Sequence, residues 1–305
     1  MAIGDYSPVE TGDSDDYYYL DTGMYDVERY GTVYLLDAER PAILDTGIGT
    51  NYEFVLEALE GIGIDPEEVA AIAPTHVHLD HAGGAGYLAE ACPNADVYVH
   101  RIGAPHLVDP SRLVEGTKRA VEDQWEYYAE PRPIDAERIV ELEDADAIDL
   151  GDRTLEVHHA PGHAPHQVVY YDPEADVLTA GDAAGIWVPD LEGVRQTSPP
   201  SNFDLEQCLE DVDAIREIDP ETILFGHFGP VAASDDLLVE YKDVLADWVD
   251  AVETKRAELE DDEAVIEHFE DETEMAKVWG ERKARAEERL NVRGVLAYLD
   301  HREEE

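Results

Sequence analysis

Hydrophobic and polar positions alternate along the first third of the chain in a way that predicts short strands and helices. Two apolar runs, Gly31–Leu36 and Ala42–Leu44, flank a polar DAERP turn, which predicts an antiparallel hairpin. Apolar residues recur at helical spacing over Asn51–Ile62, and glycines mark the end of that segment. Strands are predicted over Ala70–Ala73 and Val97–His100, with a helix between them.

The rest of the chain continues the alternation and ends in a helical segment. The predicted strands are Thr154–His158, Val168–Tyr171, Val177–Ala180 and Thr222–Phe225. The predicted helices are Ser111–Tyr128, Leu205–Ile218, Asp236–Asp261, Glu274–Leu290 and Val292–Leu299. This order predicts an α/β layered domain over residues 1–230 and a helical C-terminal extension over residues 231–305, packed on the same domain.

Charge changes this picture more than any other property of the composition. The 305 residues include 73 Asp and Glu against 21 Lys and Arg, so the net charge is −52, while 44% of the residues are hydrophobic. That hydrophobic fraction argues against disorder, and the scarcity of cations argues against a nucleic-acid groove. Because so many carboxylates repel one another unless salt screens them, the composition resembles that of proteins from extreme halophiles, and we expect a haloarchaeal source.

Cysteine usage and the lack of long apolar runs bear on the compartment. Cys92 and Cys208 are the only cysteines, so neither a disulfide scaffold nor a thiolate zinc site is predicted. The sequence contains no run of eighteen apolar residues and no signal-peptide pattern. We therefore expect a cytoplasmic protein without a membrane partner.

The candidate chemistry is concentrated in the segment THVHLDHAGG, which begins at Thr75. Three imidazoles and a carboxylate occur within six residues, between a predicted strand and a predicted helix. His76 and His78 are two residues apart on an extended stretch, so their side chains can share one ion. Where the chain turns into the helix, Asp80 and His81 can reach a second position. Imidazole and carboxylate are ligands for zinc and similar ions, so this cluster predicts a metal site.

Three later motifs each have a ligand-type residue directly after a glycine, at the end of a predicted strand. They are a PGH that ends at His163, a GD that ends at Asp182 and a GH that ends at His227. Sites are commonly assembled from loops at the ends of such elements. Together with the cluster, these residues complete a set of seven candidate metal ligands.

In this order, the HxHxDH cluster and the PGH, GD and GH motifs resemble the metallo-β-lactamase-fold hydrolase superfamily, in its glyoxalase II and lactonase-like branch. The LDTG sequence at residues 44–47 resembles the early aspartate motif of that superfamily. The resemblance implies an α/β fold, a four-layer αββα sandwich with the metals at the edge between two β-sheets. It also makes residues 1–230 the catalytic domain.

The resemblance further implies which residues hold each ion. The implied ligands are, for the first metal, His76, His78 and His163; for the second, Asp80, His81 and His227; and, bridging the two, Asp182. Asp45 would orient these ligands from behind. His166 is a candidate for the same role or for a contact with substrate.

The implied site would use two divalent ions, with zinc expected and iron or manganese as alternatives, to lower the pKa of a bridging water from about 15.7 toward roughly 7. The hydroxide would attack a small ester, thioester, lactone or β-lactam-like substrate, and Asp80 would orient it or receive its proton. The alternative function is that of a persulfide (sulfur) dioxygenase with a single iron. An inactive binding protein is disfavoured because no ligand position is substituted.

Three aromatic residues between the cluster and the PGH motif are candidates for an apolar acyl pocket: Trp125, Tyr127 and Tyr128. Aromatic residues at helical spacing more often pack in a core, and that alternative stays open. We expect a small-molecule substrate and neither nucleic acid nor membrane as a partner. The helical extension could flank the pocket or form a homodimer interface.

Overall fold

Two β-sheets form the centre of the protein in the computed structural model, which describes residues 1–304. The N-terminal sheet has seven strands in chain order: β1 (Tyr6–Pro8), β2 (Tyr17–Asp21), β3 (Thr32–Leu36), β4 (Ala42–Leu44), β5 (Ala71–Ala73), β6 (Asp96–His100) and β7 (Ile139–Leu142). Strands β1 to β4 are antiparallel to their neighbours, whereas β4 to β7 run parallel. The antiparallel pairing of β3 with β4 confirms the predicted hairpin.

The remaining strands of the described chain are β8 (Ala147–Asp149), β9 (Thr154–His159), β10 (Val168–Asp172), β11 (Val177–Gly181), β12 (Ile186–Val188), β13 (Gly193–Arg195), β14 (Thr222–Phe225) and β15 (Pro230–Ala232). Six of them form the C-terminal sheet in the order β15-β14-β11-β10-β9-β8, and β12 pairs with β13 in a separate hairpin. Within the C-terminal sheet β11 and β14 are parallel and the other neighbours antiparallel.

The helices within residues 1–304 are α1 (Tyr52–Ile62), α2 (Leu79–Ala82), α3 (Ala85–Ala91), α4 (Ala104–Val108), α5 (Ser111–Val121), α6 (Leu205–Ile218), α7 (Asp235–Leu259), α8 (Asp262–Glu272), α9 (Ala276–Trp279) and α10 (Glu281–Glu304). Short 3₁₀ helices cover Met24–Asp26, Glu122–Tyr127, Ala136–Arg138 and Pro189–Leu191. Polar side chains fix several helix starts, because Asp204, Ser234 and Asp261 each accept a hydrogen bond from a backbone N–H in the first turn of α6, α7 and α8.

The sheets pack face to face and carry helices on both outer sides, which makes four layers. Leu44 of the N-terminal sheet and Leu155 of the C-terminal sheet belong to one buried cluster between the sheets. On the outer side of the N-terminal sheet, Ile43 shares a second cluster with Leu88 of α3. A third cluster buries α6, α7, α8 and α10 against the C-terminal sheet. These clusters confirm the predicted four-layer αββα fold.

The helix predicted over Ser111–Tyr128 is shorter than expected. It ends at Val121, and a 3₁₀ helix covers Glu122–Tyr127. The reason is local, because Glu122 has φ 50 and ψ −116, a backbone conformation that no α-helix contains. The chain therefore changes direction between α5 and the aromatic residues that follow it.

The C-terminal extension also divides differently from the prediction. The segments predicted as Glu274–Leu290 and Val292–Leu299 belong mostly to the single helix α10, which begins after Gly280. Asn291 does not interrupt that helix, because its side chain is buried and accepts a hydrogen bond from the backbone N–H of Ser198 at 2.6 Å. The last residue of the predicted extension lies outside the described residues. None of the helices in residues 1–304 is both long and apolar enough to cross a membrane.

Candidate metal centre

The seven candidate ligands follow strands of both sheets and meet at one edge of the sandwich. In the N-terminal sheet, β5 leads into His76. In the C-terminal sheet β9, β11 and β14 run in the same direction and lead into His163, Asp182 and His227. Strand ends that point the same way bring their loops together, which explains why residues far apart in sequence share this edge.

The short helix α2 positions the second half of the HxHxDH cluster. The chain is still extended at His78, with φ −58 and ψ 145, and α2 then carries Asp80 and His81 toward the C-terminal sheet. Gly226 of the GH motif lies against the His81 ring, where an added Cβ would clash with Cε1 and lie 3.0 Å from Nδ1. The glycine therefore makes room for the imidazole.

Three histidines form the first group of candidate ligands. His76 Nε2 lies 3.0 Å from His78 Nδ1, and His78 Nδ1 lies 3.1 Å from His163 Nε2. When His78 is neutral, its Nδ1 can either donate one hydrogen bond or accept one, so it cannot form hydrogen bonds with both neighbours. Three imidazole nitrogens that converge on one point are the usual arrangement around a cation.

The second group contains Asp80, His81 and His227, whose ligand atoms lie within 4.8 Å of one another. Asp182 faces both groups. Its Oδ1 lies 3.3 Å from His81 Nε2 and 3.5 Å from His227 Nε2, whereas its Oδ2 lies 3.4 Å from His163 Nε2. One carboxylate thus has an oxygen directed at each group, as a bridging ligand requires.

Unsatisfied buried atoms test whether these residues suit metal ions. His81 Nε2 and Asp182 Oδ1 are both buried and, although they lie 3.3 Å apart, they do not have the geometry of a hydrogen bond, and neither has a hydrogen-bond partner among the described residues. Buried polar atoms without partners are costly unless a cation or another polar group satisfies them. The donor set, five imidazoles and two carboxylates, is also one that zinc, iron and manganese accept. The residues therefore fit a pair of divalent ions.

The second ring nitrogens of two ligands are held from outside the centre. Asp45 Oδ2 lies 2.9 Å from His81 Nδ1, and its other oxygen accepts a hydrogen bond from the backbone N–H of Thr75 at 2.7 Å. His227 Nδ1 lies 2.9 Å from the carbonyl oxygen of Tyr30, to which it can donate. Both contacts leave Nε2 free to face the centre.

Burial and charge set the protonation of the cluster. Burial and the neighbouring imidazoles lower the pKa of His76 well below its ordinary value, and burial lowers the pKa of His163 to about 3. Burial alone would raise the pKa of Asp182, but the positive charge of His81 outweighs it and holds that pKa well below the usual range. Burial likewise opposes the protonation of His81, but Asp182, Asp45 and Asp80 outweigh it and raise the pKa of His81 well above its ordinary value, so His81 must release a proton when it binds a metal. Neutral imidazoles and an ionised carboxylate are the forms that bind metals.

The match to a family model covers the region that contains all seven residues. Residues 26–227 match the model described as the metallo-beta-lactamase superfamily. The chain belongs to the metallo-β-lactamase superfamily. The matched region also includes Asp45, which supports His81 here.

Relatives in the superfamily include named hydrolases. The chain is 27% identical to the acyl-coenzyme A thioesterase MBLAC2 of Homo sapiens over 242 residues, which cover 72% of this chain and 80% of that protein. It is 30% identical to a hydroxyacylglutathione hydrolase of Synechococcus sp. over 197 residues, 64% of this chain and 62% of the relative. The crystal structure of ST1585, an archaeal superfamily protein from Sulfolobus tokodaii, has a TM-score of 0.68 at 21% identity, covering 95% of this chain and 98% of that one. The last likeness shows a shared fold.

A cavity of about 550 Å³ opens onto the candidate metal centre. His78, Asp80 and Asp182 line it, and so does His166. His166 Nδ1 lies 3.4 Å from the backbone N–H of Val77, and its ring is nearly parallel to that of His76 at 6.1 Å. His166 therefore touches both the cluster and the space where a substrate can bind.

The three aromatic residues proposed for an acyl pocket occupy different positions. Tyr128 lines the cavity, and its hydroxyl is hydrogen-bonded to that of Tyr25. Trp125 stacks on the Tyr128 ring with the centroids 5.3 Å apart, and Tyr127 packs edge-on against Tyr25 at 5.8 Å. Neither Trp125 nor Tyr127 is among the residues that line the cavity.

A polar cluster that α10 brings to the cavity was not among the residues predicted from the sequence. Lys283 Nζ lies 2.7 Å from Glu287 Oε2 and 3.8 Å from the centroid of the Tyr25 ring. The hydroxyl of Tyr30 donates to the same carboxylate at 3.1 Å. No motif marks these residues, because Lys283 and Glu287 read as an ordinary i,i+4 pair on a charged helix.

Proposed function

We propose that the protein is a metal-dependent hydrolase that cleaves a small ester, thioester, lactone or β-lactam-like substrate at a dinuclear centre, with zinc as the expected metal. The observation that carries this proposal is the pair of ligand groups joined by Asp182, whose two oxygens face His81 and His163 at 3.3 and 3.4 Å. A single ion would use only one of the two groups. The arrangement therefore favours a hydrolase over the one-iron dioxygenase.

When bound, two divalent ions would supply Lewis acidity, which lowers the pKa of water from about 15.7 toward about 7 and polarises a carbonyl group. Asp80 is the candidate catalytic residue of the chain itself. Its side chain is 26% exposed and lines the cavity. Burial opposes its ionisation, yet His81 and His227 lower its pKa below the usual value. An ionised carboxylate in this position can orient a water molecule and accept its proton.

Thioesters are the first substrates to test. An acyl-coenzyme A thioesterase and a hydroxyacylglutathione hydrolase are among the relatives. Both are distant in sequence, and one fold can serve many substrates, so lactones, carboxylic esters and a chromogenic β-lactam belong in the same panel.

The test combines metal analysis with turnover. Purified protein should carry about two divalent ions per chain and hydrolyse at least one substrate of the panel. His78→Ala should lose most of that turnover together with metal, because it removes a member of the first ligand group. His158→Ala is the matched control, since His158 lies on β9 and outside the cavity.

Two results would contradict the proposal. Full activity in protein stripped of metal would show that the centre is not used. A single iron per chain, with oxygen consumed when a persulfide is added, would identify the dioxygenase instead.

A further inference from the structure

Basic residues are concentrated at the cavity of this acidic protein. In the whole sequence, Asp and Glu outnumber Lys and Arg by 73 to 21. In the cavity lining that order is reversed once the candidate ligands Asp80 and Asp182 are set aside. The lining then contains one acidic residue, Glu287, and four basic residues: Arg112, Arg119, Lys283 and Arg293.

Two of these four bases already have partners. Lys283 is paired with Glu287 at 2.7 Å, and Arg293 is paired with Glu122 at 2.8 Å. Arg112 and Arg119 have no carboxylate within 4.0 Å in the part of the chain that the structure describes. In a protein so rich in carboxylates, most other arginines are paired, so two unpaired guanidinium groups at one cavity require an explanation.

Arg112 and Arg119 are carried by the same helix, α5. They are seven residues apart on α5, which is two turns, so both side chains lie on the same face of the helix. Both are exposed and both line the cavity, as Gly116 between them does. The face of α5 at the cavity mouth therefore presents two guanidinium groups over a helix position that has no side chain.

A buried amide gives an independent indication that a ligand binds in this cavity. Gln124 follows α5, lines the same cavity and is 3% exposed. Neither its Nε2 nor its Oε1 has a hydrogen-bond partner among residues 1–304. A buried amide is rarely left without partners, so a group that enters the cavity would supply them.

We propose that the substrate carries an anionic group, a carboxylate or a phosphate, which Arg112 and Arg119 bind at the cavity mouth while its acyl group lies at the metal centre. Gln124 hydrogen-bonds the part of the substrate between the two ends. This assignment rests on the proposed hydrolase function, whose site it extends. Guanidinium groups suit this role because they stay charged and offer paired N–H donors to the oxygens of such anions.

The test compares thioesters that share one acyl group and differ only in the charge of the thiol part. A neutral N-acetylcysteamine thioester is compared with a 3-mercaptopropionate thioester, which carries a carboxylate, and with the coenzyme A thioester, which carries phosphates. The variant is the double substitution Arg112→Gln with Arg119→Gln, assayed at one fixed salt concentration because salt screens the contact. Arg101→Gln is the matched control, since Arg101 is exposed, lies outside the cavity and pairs with Glu143.

For at least one anionic thioester, the double variant should raise KM by about 10- to 100-fold, as expected for the loss of hydrogen bonds to a charged group. Its kcat, and its turnover of the neutral thioester, should stay within about twofold of the wild type. Gln124→Leu should also raise KM for the anionic thioester, and Arg101→Gln should not. The thioester with the larger effect identifies the anion as carboxylate or phosphate.

A binding measurement separates this proposal from the hydrolase function. The S-methyl thioethers of coenzyme A and of 3-mercaptopropionate cannot be hydrolysed, and calorimetry reports their affinity directly. Weaker binding by the double variant supports the anion site even if wild-type protein hydrolyses none of the panel, which would refute only the hydrolase proposal. Equal KM for all thioesters and equal thioether binding by wild type and double variant would overturn the anion site, while hydrolysis itself could stand.

Discussion

Asp45 lies on the Nδ1 side of the His81 ring, opposite the nitrogen that faces the candidate centre. The two side chains are 2.9 Å apart, and both are almost fully buried. Asp45 also has an uncommon left-handed backbone conformation, with φ 57, so the loop that carries it is held in place by its surroundings. A carboxylate in this position fixes the orientation of the imidazole and increases the basicity of its other nitrogen.

Asp45→Asn should therefore weaken metal binding and turnover by about 10- to 100-fold, because the amide keeps the shape of the side chain but loses its charge. Competition with a chelator measures the metal affinity, and kcat/KM on the best substrate of the panel measures activity. Asp190→Asn serves as the control, since Asp190 is exposed and pairs with Arg29. An unchanged metal affinity in Asp45→Asn would mean that Asp45 only supports the loop.

For individual residues, the sequence was informative where the role of a residue can be recognised from its immediate neighbours in the chain. The HxHxDH cluster and the residues that follow glycine at strand ends could be recognised one motif at a time. Arg112, Gln124 and Lys283 could not, because their significance depends on the absence or presence of partners that only the folded chain brings near.

Helices α5 and α10 flank the cavity, and each contains a glycine in its interior. At Gly294 of α10 an added Cβ would clash with the carbonyl oxygen of Ser198 and lie 2.7 Å from the carbonyl carbon of Pro199. At Gly116 of α5 an added Cβ would have no neighbour within 4 Å. The first glycine allows α10 to pack closely against the chain beside the cavity, whereas the second has no such role in packing.

The two helices should respond in opposite ways to the same substitution. Gly294→Ala should lower the free energy of unfolding by about 1–3 kcal/mol, because the clash is with backbone atoms that cannot rotate away. Gly116→Ala should raise it by about 0.5–1 kcal/mol, since alanine favours the helix and meets no obstacle. Denaturant titration measures both. Equal effects of the two substitutions would contradict the close packing of α10.

Ionic contacts link the region after α5 to α10. Glu122 is paired with both Arg289 and Arg293, at 2.6 and 2.8 Å, and Arg282 is paired with Asp123 at 2.8 Å. The sequence predicted helices in both regions but not this contact. A pair of residues more than 150 positions apart in the chain leaves no periodic signal in either helix.

The whole molecule carries a net charge of −52, and most of its acidic residues lie on the surface. Self-repulsion of that surface destabilises the compact state until salt screens it. The screening length falls from about 10 Å at 0.1 M salt to about 3 Å at 1 M. The folded state should therefore gain stability over this range.

We expect the Tm to rise between low and molar KCl. Differential scanning calorimetry at several KCl concentrations measures it, and an uncharged osmolyte at matched osmolality is the control, which should not reproduce the rise. A Tm that is flat or falls with KCl would refute the halophilic interpretation. That result would not contradict the proposed anion site, because the anion site depends on local ion pairing and not on the net charge.

The sequence by itself determined the α/β layered class of the fold and the candidate metal chemistry, and its resemblance to the superfamily added the four-layer arrangement. Strands and helices could be predicted because each has its own spacing of hydrophobic positions. The candidate ligands come directly after predicted strands in the sequence. Missed elements were those whose sequence pattern is weak, such as β2, where Tyr17 is buried between the two sheets and Leu20 is buried under the helices on the outer side of the N-terminal sheet.

Only the tertiary structure decided what surrounds the centre. The direction of β9, β11 and β14 brings His163, Asp182 and His227 to the same edge, and the packing of α10 brings Lys283 to within reach of Tyr25. Within the part of the chain that the structure describes, it also left Arg112 and Arg119 without carboxylate partners at the cavity mouth. Burial and pairing depend on distances in space, and residues distant in the chain acquire such distances only when the sheets and helices pack together.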